Sequence, residues 1–251
     1  MFNLIRSARG IFRSLRTYHG DRARHRAMDR LYGGFVRAGD LVFDVGSHVG
    51  DRVASFRRLG ARVVAVEPQP ALVRVLRLIH GRDRAVTIEA AAVGRTAGRI
   101  ELRINSANPT ISTASDAFIA ATEGASGWEG QVWDERVEVA MTTLDALIAA
   151  HGVPAFVKID IEGFEAEALA GLSRPLAALS FEFTTIQRDV ALQAIARLGE
   201  LADYRFDAAL GESQQRLFTD APKSAAEIAA WLVDLPHAAN SGDIYAILAA
   251  G

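Results

Sequence analysis

The chain has 251 residues, half of them hydrophobic, and a formal net charge of −2 at pH 7, enough for one sizeable α/β domain and without global attraction to nucleic acid. Cysteine is absent, which excludes disulfides and thiolate metal sites and makes an intracellular, cytoplasmic location the simpler expectation. No apolar run approaches the length of a membrane span, and Lys158 and Lys223 are the only lysines.

In residues 1–37, Leu4, Ile5, Ala8, Ile11, Phe12 and Leu15 recur at helical spacing, with Arg6, Arg9, Arg13 and Arg16 between them. The pattern predicts an amphipathic basic helix, which suits packing on the domain over its ligand, or a peripheral membrane or partner contact. Packing is the stronger expectation, because apolar stripes generally face a core. Arginines within the apolar stretch argue against a signal peptide.

Residues 38–251 read as one domain. Leu41, Val42, Phe43 and Val45 form a short apolar run ending around Asp44, followed by Gly46, Ser47, His48, Val49 and Gly50. That is a strand buried on both faces, then a glycine-bounded turn at a sheet edge of the kind that binds nucleotides. Residues 51–59 read as a helix stopped by Gly60, residues 62–66 as a strand ending at Glu67 and Pro68, and residues 71–80 as a helix. Strands near residues 86–91 and 99–104 continue a β-α-β-α-β order, which right-handed crossovers make parallel.

Residues 105–135 read as an inserted polar loop holding Trp128 and Trp133, and loops of that length often form lids or binding loops. Residues 136–141 alternate like a strand, and Thr142 with Asp145 has capping-box spacing for the next helix. After Pro154, a strand runs through Lys158 and Asp160 into a helix stopped by Gly171. A strand over residues 176–183 carries Glu182. A helix near residues 189–198, weaker strands near Tyr204 and Arg216, a helix near residues 225–231 and a strand over residues 243–248 finish the chain.

Two acids at successive strand ends around a glycine turn form a specific combination. Glu67 lies where a carboxylate accepts the hydroxyls of a ribose, and Asp44, lower, suits a cationic amino group or a water. The alternative is a helix cap and a solvated strand end. The turn lacks the G-x-G-x-x-G order of a dinucleotide fingerprint and the Gly-Lys-Ser/Thr of a phosphate loop, so a nucleoside without a diphosphate fits better, S-adenosylmethionine among them. Lys158, Asp160 and Glu162 alternate along one face. Charges in so apolar a strand need partners, and Glu182 is the candidate ion-pair partner of Lys158.

The segment FDVGSHVGD is similar to the first motif of FkbM-type S-adenosylmethionine-dependent methyltransferases. VVAVEPQP resembles the second, and VEVAMTTLDAL with FVKIDIEGFEAEALAGL resembles the family's most distinctive block. The similarity spans about residues 40–185. It implies a class I methyltransferase fold, Rossmann-like and doubly wound, with a mostly parallel seven-stranded sheet and an antiparallel last strand. It also implies S-adenosylmethionine as cofactor, with Asp44, Gly46, Ser47 and Gly50 around its methionine part, Glu67 on the ribose, Ala91 beside the adenine and Asp160 near the transferring methyl. His48 and Pro68 complete the expected cofactor set.

The expected reaction is O-methylation of a hydroxyl on a sugar, glycolipid or natural product, a small-molecule or glycan acceptor. Asp160 or Glu182 serves as general base or orients the hydroxyl, and Lys158 belongs to the same catalytic group. Asn108, Ser112 and Thr113 offer hydrogen bonds to a polyhydroxylated acceptor, and Trp128 and Trp133 offer stacking surfaces. A nicotinamide-dependent oxidoreductase and a non-catalytic membrane-associated module are the alternatives. Asp160, Glu162 and Glu182 would suit magnesium, but nothing in their spacing demands a metal and none is expected. A homo-oligomer is compatible with the chain.

Overall fold

The computed structural model describes residues 2–249, with side chains described for residues 6–249. The side chains of Leu4 and Ile5, part of the predicted apolar stripe, therefore lie outside the described residues. The basic segment is two helices, α1 (Phe2–His19) and α2 (Arg22–Tyr32), separated at Gly20 and Asp21. Asp21 caps α2 by accepting from the backbone N–H groups of Ala23 and Arg24, the usual role of a short polar side chain at that position.

The chain continues through β1 (Leu41–Val45), α3 (Asp51–Arg58), β2 (Arg62–Val66), α4 (Pro70–His80), β3 (Val86–Glu89), β4 (Ala92–Val93) and β5 (Gly98–Ile104). Then come α5 (Asp116–Thr122), β6 (Glu135–Thr142), α6 (Leu144–His151), β7 (Phe156–Ile159), α7 (Glu165–Ala170) and β8 (Ala178–Thr184). α8 (Arg188–Leu201), β9 (Tyr204–Leu210), α9 (Ala225–Asp234) and β10 (Ser241–Leu248) complete it.

The main sheet has seven strands in the order β3-β2-β1-β7-β8-β10-β9. β10 is antiparallel to both neighbours, and β3, β2, β1, β7 and β8 pair in parallel. The expected doubly wound α/β architecture with an antiparallel last strand is present. Side chains alternate across it. Phe43 and Val45 join the core beneath α6 to α9, while Val42 and Phe156 pack with Met28, Tyr32 and Phe56 of α2 and α3. Burial on both faces explains why β1 and β7 read as apolar runs broken only by Asp44 and Lys158.

Four local expectations are corrected. The strand at residues 98–104 leaves the main sheet and pairs antiparallel with β6 in a separate three-stranded sheet, β4-β6-β5; its half-exposed alternation is that of a sheet with one wet face. The insertion at residues 105–135 holds regular structure, a 3₁₀ turn at Pro109–Ile111 and α5, the latter capped by the Ser115 hydroxyl. Thr143, rather than Thr142, caps α6 by accepting from Ala146 N–H, because Thr142 still belongs to β6. Arg216 lies in no strand; its guanidinium sits 5.0 Å over the Phe35 ring and pairs with Asp207.

The amino-terminal helices pack on the domain. Gly10 lies so close to the 3₁₀ turn that an added Cβ would stand 2.8 Å from Pro109 Cδ, and Ser14 is buried. Among the described residues no helix is long and apolar enough to cross a membrane.

Candidate active site

The site begins at the turn after β1. Gly46 has φ +87°, and a Cβ there would stand 1.8 Å from the Asp160 carbonyl oxygen. Only glycine lets the ends of β1 and β7 approach this closely. Gly46 and Ser47 donate to the Val66 carbonyl, and the Ser47 hydroxyl donates to the Asp44 carbonyl. The backbone N–H groups of His48 and Gln69 donate to the Glu67 carboxylate at 2.9 and 2.8 Å. Glu67 is buried, and that burial pushes its carboxyl up to about 7. Hydroxyls donating to it would favour the ionised form.

A largely apolar cavity opens beside this turn. Val45, Val66, Ala91, Ala92, Val93, Leu102 and Phe164 supply its walls, and Gly46, His48, Glu67, Pro68 and Gln69 one rim. A second, charged cavity adjoins it, lined by Tyr18, Asp51, Arg52, Glu182 and Glu212. The two share Gly46, His48, Thr110, Asp160 and Glu162. Asp160 and Glu162 therefore stand at the junction.

The junction is built by the turn after β7. Glu162 and Gly163 take φ of +55° and +85° in succession, and the buried Glu165 carboxylate holds that turn by accepting from the N–H groups of Ile161 and Gly163. A non-glycine residue held left-handed is backbone strain of the kind that recurs at functional sites. Burial pushes the Glu165 carboxyl up to about 7.

Beneath the junction the sheet carries a polar row. Asp44, Lys158, Ser180, Tyr245 and Asp207 are register partners across five strands, and Glu182 and Asp243 pair one step further on. Lys158, fully buried, bonds Asp243 at 2.6 Å and lies 3.5 Å from Asp160. The expected Lys158–Glu182 ion pair is thus corrected. β10 inserts between β8 and β9 and brings in Asp243, an acid invisible to reasoning from consecutive strands.

Arg52, in the first turn of α3, pairs with Asp160 at 2.7 Å. Burial alone would raise the Asp160 carboxyl, but Lys158 and Arg52 outweigh it and hold Asp160 below the usual carboxylate range. Burial alone would lower Lys158, yet Asp160 and Asp243 hold it above its ordinary value. Glu162 and Glu182 are pushed well up, by burial first and by neighbouring carboxylates second. Burial lowers His48 to about 4, so its imidazole is neutral near pH 7.

The predicted residues separate into five places. Gly46, His48, Glu67, Pro68, Ala91 and Asp160 line the apolar cavity, and Ser112, expected to bind the acceptor, lines it too, with a buried hydroxyl that has no partner among the described residues. Glu182 lines the charged cavity. Asp44, Ser47, Gly50 and Lys158 line neither and stand behind the wall. Asp44 is fully buried with neither carboxylate oxygen partnered among the described residues, and burial pushes it up to about 6. Asn108 lines a separate cleft beside α1. Trp128 and Trp133 pack edge-on against Phe118, and the Trp133 indole donates to Ile111, so both build the insertion's own small core.

Sequence reasoning missed Arg52, Asp243, Tyr18 and Thr110. Arg52 follows directly on the glycine turn, and Asp243 is an acid opening an apolar strand, so each left a signal; Tyr18 and Thr110 left none. Asp160, Glu162 and Glu182 each offer a carboxylate oxygen within 4.8 Å of the others, a set able to receive a hard cation.

The family described as "Methyltransferase FkbM domain" matches residues 44–216. A comparison with the curated proteins finds no match. Among solved structures, the chain is similar to a putative O-methyltransferase from Klebsiella pneumoniae at 10% identity, covering 96% of this chain and 90% of that one with a TM-score of 0.49. It is similar to an O-methyltransferase from Bacillus cereus in complex with SAH at 13% identity, 96% and 90% coverage and a TM-score of 0.44. A precorrin-6y C5,15-methyltransferase from Geobacter metallireducens shows 13% identity, 90% and 86% coverage and a TM-score of 0.46.

Proposed function

The chain belongs to the FkbM-domain methyltransferases, and from that premise we propose that it methylates a hydroxyl of a sugar, glycolipid or natural-product acceptor bound in the charged cavity. Its cofactor is S-adenosylmethionine, whose sulfonium supplies an electrophilic methyl when bound. The nicotinamide-dependent alternative drops out with the family.

The chain's own residues fit that cofactor. Gly46 lets the Asp160 backbone close on the turn and itself lines both cavities, Glu67 keeps acceptor capacity beyond its two backbone bonds, and apolar walls suit a purine ring. Glu67 would hold the ribose, with Ala91 bordering the base. What carries the reading is the junction. Asp160 belongs to both cavities, while Glu182 belongs to the charged cavity and not to the apolar one.

In this proposal the two carboxylates have separate roles. Asp160, kept ionised by Lys158 and Arg52, is a weak base and orients the acceptor hydroxyl for in-line attack. Glu182, whose raised carboxyl is the stronger base in its ionised form, would take the hydroxyl proton as the methyl passes to the hydroxyl oxygen and its bond to the sulfonium breaks, leaving a neutral thioether. Lys158 is a positioning residue. Tyr18, Thr110 and Arg52 complete the wall around the acceptor.

Screening sugars, glycolipids and polyketide-type alcohols for methyl transfer identifies the acceptor. With it, Asp160→Asn and Glu182→Gln are each expected to lower turnover by about 10²–10⁴ while S-adenosylhomocysteine still binds. Full turnover in both variants would show these roles to be wrong.

A further inference from the structure

Residues 1–37 hold nine arginines and two aspartates, a net +7 in a chain whose total is −2, leaving −9 for the rest. An asymmetry of that size is the charge pattern of nucleic-acid-binding and membrane-surface segments.

The structure separates the two sides of α1. Successive residues of an α-helix turn by about 100°, which puts Gly10, Ser14 and Tyr18 on one side. That side is engaged: Gly10 lies against the 3₁₀ turn, Ser14 is buried, and Tyr18 meets the His48 ring edge-on at 5.5 Å. Arg9, Phe12, Arg13 and Arg16 fall within about 100° of arc on the opposite side, and all four are exposed, Phe12 by 69%. On α2, Arg22, Arg26 and Arg30 recur at i, i+4, i+8 and are exposed as well, while Met28, Leu31 and Tyr32 face the core.

These arginines differ from those at the site. Arg24 is held by Asp51 and Glu212, Arg52 by Asp160 and Arg58 by Asp29. Among the described residues, Arg9, Arg16, Arg22, Arg26 and Arg30 have neither a carboxylate partner nor a side-chain hydrogen bond. An exposed aromatic ring amid unneutralised arginines on a docked helix has the composition of an interfacial surface, in which apolar insertion and attraction to anionic headgroups add.

We propose that the outer face of α1 and α2 docks this enzyme on an anionic lipid surface, with Phe12 inserted and Arg9, Arg16, Arg22 and Arg26 on the headgroups. The inner side of the same helix reaches the charged cavity through Tyr18, and Ser14 and Thr17 line the neighbouring cleft, with Arg13, at the edge between the two sides, donating to the Ala107 carbonyl. Docking therefore places the acceptor cavity behind α1, about 10 Å from the interface. The surface does not depend on the methyl-transfer reading, since the residues that carry it lie outside both cavities.

The test is flotation of the full chain with phosphatidylcholine vesicles, with and without phosphatidylglycerol, at low and high salt. The expected result is salt-sensitive binding to the anionic vesicles. A quadruple Arg9→Glu, Arg16→Glu, Arg22→Glu, Arg26→Glu variant should bind at least about tenfold more weakly, and Phe12→Ser should bind more weakly at unchanged charge. S-adenosylhomocysteine binding, measured on each variant, should match wild type and shows that the fold persists. No binding to anionic vesicles, undiminished binding by the quadruple variant, or tighter binding to poly(U) RNA than to vesicles of equal charge would overturn the proposal.

Discussion

The two cavities at the carboxyl edge of the sheet are built in opposite ways. The apolar one takes the rim that carries its principal acid from consecutive strand ends, β1, β2 and the β3–β4 region, with Leu102, Ser112 and Phe164 closing it from later segments. That acid, Glu67, is satisfied by backbone N–H groups and meets no cation among the described residues. The charged one draws on α1, α3, β7, β8 and the segment after β9, and Asp51, Asp160 and Glu212 among its acids are cross-braced by Arg24, Arg52 and Lys158. The rim that grips a nucleoside can be cut from one βαβ unit, with later segments adding apolar cover. A site that orients a reactive hydroxyl needs charges held at defined positions, and these come from distant parts of the chain.

The sharpest way to break this contrast is Lys158→Met. Removing one partner of a buried ion pair leaves its acids uncompensated at a cost of about 3–5 kcal/mol, here Asp160 and Asp243. Denaturant unfolding is expected to show that loss, and Lys158→Met combined with Asp243→Asn should recover part of it. A cost below about 1 kcal/mol would mean that Lys158 does not brace the charged half.

A smaller effect belongs to the apolar half. The folded protein holds the Glu67 proton up to about pH 7, whereas the unfolded chain releases it in the ordinary carboxylate range. Between those limits the folded state binds more protons, so this group's contribution to stability falls as pH rises through 7. A ligand donating hydroxyls to ionised Glu67 reverses the trend for binding. Affinity for S-adenosylhomocysteine is expected to rise by less than about tenfold between pH 6 and 8, and Glu67→Gln should flatten the profile; an unchanged slope in that variant would remove Glu67 from the cofactor contact.

Legibility in the sequence follows the same divide. β1, the glycine turn, β2 and Glu67 were readable because buried strands leave apolar runs and a close approach leaves a glycine, both local signals. The D-x-E-G-x-E run after β7 was visible as charge in an apolar context, but Glu165 as the clamp of the turn was not, since its partners are backbone N–H groups. Asp243 stands 85 residues from Lys158, and only the insertion of β10 beside β8 makes them neighbours. Trp128 and Trp133 looked like ligand surfaces in a polar stretch; α5 supplies Phe118, on which they pack instead.

The division between a cofactor half and an acceptor half is tested most directly by calorimetric titration of S-adenosylhomocysteine into wild type, Glu67→Gln and Glu182→Gln. The account predicts that Glu67→Gln weakens binding about tenfold, the loss of a charge-assisted hydrogen bond, and that Glu182→Gln binds as wild type does. Equal weakening in both variants, or none in Glu67→Gln, would contradict it.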